Sequence, residues 1–266
     1  MSTRRLGPAR LLLVAAAALL TACSSGGDSA GQGAPPPPAE DTGPLKGPLL
    51  VFAATPLTAP LQEAQRALGA EAPTLKITYT FAGRLDPQLG KSVPADVVAT
   101  ADQDALRKLT AAKLIGTPAV FARDKLRIAV AKGNPKGVRA LSDLAKPGVK
   151  VALLDAGTPG GRDSRRLFDS RDLTVTPTSA PLEAKDAVAA LGSGKADATV
   201  LYAAEVAAAG DSVTGVTIPD AQNIVSSYRI AVLKSAKNPE AAQAYVNWLV
   251  NGPGQKLVTA HGLLTP

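Results

Sequence analysis

The chain predicts an α/β fold with mostly parallel strands, and three observations carry that prediction. Continuous apolar runs such as Leu49-Leu50-Val51-Phe52-Ala53-Ala54 read as strands buried on both faces. Segments with apolar residues at helical spacing, such as Leu57, Leu61, Ala64 and Leu68, lie between them. The two kinds alternate at the short intervals of strand–helix units. Periodicity alone leaves open whether there is one sheet or two.

The elements follow in order. After the first strand, Thr58 is placed to cap a helix. Leu75, Ile77, Tyr79 and Phe81 alternate with polar residues, which predicts a strand. Ala95 to Ala99 is a short buried strand. Asp102 caps a helix with Ala105, Leu106, Leu109 and Ala112 inward. Leu126 to Val130 is a strand that ends at Gly133-Asn134-Pro135. Ser142 to Ala145 makes a short helix before Pro147-Gly148. Val149 to Leu154 is a strand leading into Asp155-Ala156-Gly157-Thr158-Pro159-Gly160-Gly161. Glu183 to Leu191 is a helix, and Ala198 to Tyr202 and Tyr228 to Leu233 are strands. Pro239 suits the first turn of a helix carrying Ala242, Tyr245, Val246 and Leu249. Gly254 to Ala260 is a last helical piece.

The first residues read as an address. Arg4, Arg5 and Arg10 precede the apolar run Leu11 to Leu20, which is too short to span a bilayer. Leu20-Thr21-Ala22-Cys23 follows, and it resembles the bacterial lipobox. By that resemblance residues 1–22 are a signal peptide, and Cys23 is the lipidated first residue of the mature protein. Residues 23–48 form a Gly/Ser/Pro-rich tether with Pro35-Pro36-Pro37-Pro38, and such a composition cannot bury a core. The folded part is expected from about Leu49 to Pro266, on the outer face of the cytoplasmic membrane.

Composition excludes several chemistries. The chain has 266 residues with a single Cys and a single His, so a disulfide framework, a Cys-based zinc site and a His cluster are ruled out. A Ser-His-Asp triad is possible only through His261. No nucleophile elbow, Walker motif or GxGxxG pattern is present. The chain is therefore read as a non-enzyme without cofactor or resident metal. The net charge of +7 falls to +4 once the three leader arginines are removed, which argues against a nucleic-acid partner.

Several phrases occur together in order: Val51-Phe52-Ala53-Ala54-x-x-Leu57-Thr58, Pro94-Ala95-Asp96-Val97, Ala101-Asp102, Phe121-Ala122-Arg123-x-x-Leu126, Lys132-Gly133-Asn134-Pro135, Asp143-Leu144-Ala145-x-Pro147-Gly148-Val149, Gly194-x-Ala196-Asp197-Ala198 and Asn238-Pro239-Glu240-Ala241-Ala242. Over residues 49–266 the sequence resembles the molybdate-binding proteins of ABC importers. The resemblance implies a type II periplasmic-binding-protein fold, a monomer of two α/β lobes joined by two crossovers. Lobe 1 would be 49–124 plus 227–266 and lobe 2 would be 125–226. Lys125 and the stretch around Val225 would mark the hinge. It also implies a tetrahedral oxyanion, molybdate or tungstate, in the cleft, and an ABC permease as partner. Backbone N–H groups at helix N-termini and side-chain hydroxyls suit such an anion without a counter-charge.

The ligand loops depart from the family pattern. Pro56 stands where the family has a ligand Ser, so Thr55 or the main chain at Leu57 and Thr58 would serve instead. The Ser-bearing second loop is here Gly83-Arg84, which suits a carboxylate, sulfate or phosphate ester. In the third loop, Thr158, Gly160 and Gly161 form a candidate anion nest, and Asp163 replaces a family Tyr. Tyr202 matches the family's ligand Tyr, with Glu205 nearby. Asp163 or Glu205 would accept from a proton-bearing ligand oxygen. Each residue also has a plain structural role open to it: Thr55 and Thr58 as caps, Arg84 as a loop residue, Tyr202 as packing, and Arg162, Arg165 and Arg166 as a salt-bridged helix face. The expected function is a lipid-anchored oxyanion-binding protein. The alternatives are a binding protein for another anion (sulfate, phosphate or a carboxylate) and a ligand-free sensor or scaffold.

Overall fold

In the computed structural model, residues 43–84 and 94–266 are described. The expected leader, Cys23 and the first part of the tether lie outside the described residues. Strand β1 (Gly47–Ala54) begins two residues before the expected Leu49. Gly47 and Pro48 pair with Leu75 and Lys76 of β2 (Leu75–Ala82), and a Pro is tolerated at a strand's start. Helix α1 (Thr58–Glu71) joins them through a 3₁₀ turn at Thr55–Leu57. That turn displaces the expected cap. Thr58 is the first residue of α1, and its hydroxyl donates to the Thr55 carbonyl at 2.7 Å. Leu57, Leu61, Ala64 and Leu68 form the buried stripe as expected.

Strand β3 (Val97–Thr100) and helix α2 (Gln103–Ala111) follow. Asp102 caps α2 by accepting from the Ala105 N–H at 3.1 Å. Leu106 and Leu109 face inward, but Ala112 lies beyond the helix end and is exposed. Strand β4 (Ala119–Ala131) is much longer than the expected Leu126–Val130. A 3₁₀ turn at Leu141–Ala145 leads to β5 (Val151–Leu153) and α3 (Pro159–Asp169). Then come α4 (Ala184–Gly192), β6 (Ala198–Tyr202), α5 (Ala203–Ala209), β7 (Val213–Thr217), β8 (Val225–Val232), α6 (Pro239–Asn251) and α7 (Gly254–Ala260). The expected order lacked α5 and β7.

The pairing is mixed rather than mostly parallel. The order β2-β1-β3-β8-β4-β6-β5 joins all but β7, which pairs with β4. Only β1–β2, β1–β3 and β5–β6 are parallel. The antiparallel pairs all involve β4 or β8, and of these two β4 pairs in both halves of the sheet. β4 pairs with β8 through Lys125↔Val225 and with β6 from Leu126↔Tyr202 onward. A single continuous strand thus belongs to both halves.

Helices cover both faces of each half. Leu49, Val51 and Ala53 pack against α1, α6 and α7, while Phe52 and Val98 pack against α2. Ile128 and Val130 pack with Leu167 and Phe168 of α3; Ala129 packs with Ala187 and Leu191 of α4 and Val206 of α5. This two-sided burial explains why the central strands read as unbroken apolar runs.

Candidate functional site

A cleft opens at the carboxyl ends of β1, β2, β5 and β6, where α/β sheets place their ligands. Ala54, Gly83, Leu154 and Tyr202 line it from those four strand ends. The starts of α3, α4 and α5 supply Thr158, Pro159, Gly160, Glu183, Ala184 and Glu205, and Tyr228 of β8 forms part of the wall. Counted out to its mouth, the cleft holds about 340 Å³ of empty space.

Sequence chemistry dictates how α3 begins. Thr158 is its N-cap: the hydroxyl accepts from the Gly161 N–H at 3.0 Å and donates to the Asp155 carbonyl at 2.7 Å. A Cβ on Gly161 would lie 2.0 Å from the Asp155 carbonyl oxygen, so only glycine fits. Gly160 stands in the first turn, where the N–H has no partner within the helix. A Cβ there would sit 3.0 Å from Leu154 Cδ1 and 3.5 Å from the Tyr202 ring. Ala184 is the first residue of α4, the position that Pro159 holds in α3.

Glu183 precedes α4 and makes no side-chain cap bond to it. Its carboxylate instead crosses the cleft. Oε2 accepts from the Thr55 hydroxyl at 2.9 Å, and Oε1 accepts from the Gly83 N–H at 3.0 Å. A second bridge joins Arg162 of α3 to Asp102 at 2.9 Å.

The inner wall carries acidic groups whose carboxyls burial pushes up. Glu205 is buried and accepts from the Tyr202 N–H at 2.9 Å. Burial pushes its carboxyl up to about 8, and the nearby Asp124 and Glu183 charges add to the rise. Asp124, wholly buried in β4, is pushed up to about 7 by the same loss of solvation. The Tyr228 hydroxyl is buried and, among the described residues, has no hydrogen-bond partner. Its ring meets the Tyr202 ring edge-on, with centroids 6.0 Å apart.

The profile of bacterial extracellular solute-binding proteins matches residues 49–264. The chain belongs to that family. It is 31% identical over 229 residues to a molybdate-binding protein of Mycobacterium tuberculosis (strain ATCC 25618 / H37Rv), covering 84% of this chain and 88% of that one. Among solved structures it is similar to the periplasmic molybdate-binding protein of Azotobacter vinelandii: TM-score 0.70, 19% identity, 82% of this chain and 99% of that chain. It is also similar to the sulfate-binding protein SubI of Mycobacterium tuberculosis H37Rv: TM-score 0.69, 19% identity, 81% of this chain and 86% of that chain. These likenesses show a type II periplasmic-binding-protein fold.

Within this solute-binding fold, Gly83, Thr158, Gly160 and Tyr202 line the cleft. Thr55 reaches it through Glu183. Thr58 and Gly161 are spent on the local bonds described above. Arg84 is exposed, and its guanidinium lies across from Gly157 and Asp155, beside the lining rather than in it. The Thr158 hydroxyl is likewise committed to its own helix. The Tyr202 hydroxyl donates to Asp163 at 2.8 Å, away from a ligand role. Asp163 also accepts from Ser226 and pairs with Arg166, so it is not free to receive a ligand proton. His261 ends α7 and does not line the cleft. Sequence reasoning missed Glu183, Ala184 and Tyr228. The one available signal was Glu183 itself, since Glu is not a favoured N-cap.

Proposed function

We propose that the chain is a lipid-anchored, extracytoplasmic solute-binding protein of an ABC importer, holding a tetrahedral oxyanion in the cleft. Molybdate or tungstate is the first candidate, after the mycobacterial relative. The observation that carries this reading is the Glu183 carboxylate. It shows that the donors at the ends of β1 and β2 hold an anionic group. The first turns of α3 and α4 and the unpartnered Tyr228 hydroxyl add donors around the same space. Protonation of Glu205 near neutral pH keeps a further negative charge out of it. Two lobes, 49–124 plus 227–266 and 125–226, would close over the ligand about Lys125 and Val225. The change of partner within β4 supports that division. Cys23 would carry the lipid, and the protein would act as a monomer delivering to a membrane permease.

Calorimetric titration of the purified chain with molybdate, tungstate, sulfate and phosphate tests the site. A ligand at ~100-fold its Kd raises stability by about 2.7 kcal/mol, which a thermal melt also reads. If none of the four binds, the oxyanion assignment fails. Metabolic labelling with a fatty acid tests the anchor: label on the native chain and its loss in Cys23→Ser are expected.

A further inference from the structure

The inference below rests on the oxyanion reading. Glu183 offers two oxygens of one anionic group to two donors from different strand ends, the geometry in which those donors would grip a ligand anion. Each donor has a single hydrogen to give: one on the Thr55 hydroxyl, one on the Gly83 amide. Neither can serve a ligand while fully committed to Glu183. Space is equally short. The place a Cβ would take on Gly83 lies 2.9 Å from Glu183 Oε1 and 2.7 Å from the Leu182 carbonyl oxygen, so no ligand atom fits between them. A dianion in the remaining space would also face the carboxylate at close range in a poorly solvated cleft, and like charges there repel strongly.

We infer that Glu183 is the specificity-determining residue of the cleft. Its carboxylate is an internal competitor, and an incoming anion must displace it from Thr55 and Gly83. Displacement costs the two bonds and the cross-cleft contact they make. An anion that replaces only part of this set is held weakly, and one that replaces all of it is retained. Glu183 lies partly exposed at the cleft rim, so its side chain can swing out without disturbing a core.

The test titrates the full chain with molybdate and with sulfate as native protein, Glu183→Ala, Glu183→Gln and Asp186→Ala. Asp186 is exposed in the first turn of α4 and removes a nearby charge without touching the donors. Glu183→Ala should lower the Kd of at least one anion tenfold or more. Glu183→Gln, which loses the charge but keeps an acceptor, should gain less. Asp186→Ala should match the native chain. If the native chain binds and Glu183→Ala is unchanged or weaker, the competitor role is overturned while the oxyanion function stands. If Asp186→Ala gains as much, the effect is general charge and the competitor role again fails. Binding by none of the four proteins overturns both readings.

Discussion

Two of the helices that open onto the cleft from the second half of the sheet, α3 and α4, start differently. Thr158 spends its hydroxyl on its own helix, and Gly161 lets the chain pass close to Asp155. Glu183 gives α4 nothing and reaches instead to Thr55 and Gly83 in the first half. One start is built for local stability and the other for contact across the cleft. A residue at a cap position that neglects its own helix is free to make contacts elsewhere.

The sharpest way to break this contrast is Gly161→Ala. The added Cβ meets backbone on two sides, the Asp155 carbonyl oxygen at 2.0 Å and the Leu154 carbonyl oxygen at 2.5 Å. A loss of about 3 kcal/mol or more is expected, read as a lower denaturation midpoint or failure to fold. The next effect depends on pH. Folding raises the Glu205 carboxyl from 4.5 to about 8, so the folded state holds that proton more tightly. Stability from this group is therefore full below the ordinary carboxylate range. It declines as pH rises toward about 8 and levels off above it. Glu205→Gln should flatten that slope, by an amount on the order of a few kcal/mol across the range. Thr158→Ala should cost about 1 kcal/mol through the lost cap. Glu183→Ala should also cost about 1 kcal/mol, through its two cross-cleft bonds rather than through a cap. Thr55→Ala should share part of that loss in a double-mutant melt series and none of the Thr158→Ala loss, and the reverse pattern would remove the distinction between the helix starts.

Much of this was legible in the sequence. Ala198–Tyr202 and the Pro239 helix start came from local pattern alone, and Asp102 caps as its position demands. The elements α5 and β7 were not legible. Ala203–Ala209 is nearly all alanine and carries no apolar contrast, and Val213–Thr217 is short and interrupted by Gly215. Strand direction is absent from periodicity, which reports faces and not neighbours. The site was harder still. Gly83 and Gly160 were singled out by resemblance to the family's ligand loops, and both line the cleft. The bond from Glu183 to Thr55 spans 128 residues and exists only once the sheet is assembled.

The strand β4 has one further consequence. Asp124, Leu126, Ile128 and Val130 are buried while Arg123 and Arg127 are exposed, so one alternation runs unbroken past the point where the strand changes partners. The two halves are therefore set in phase by a shared ruler. Adding or deleting one residue between Lys125 and Leu126 would leave the β8 pairing intact and turn every later side chain to the opposite face. Arginine would then point into the core that Leu126, Ile128 and Val130 now fill. Length at this junction is under tighter constraint than residue identity.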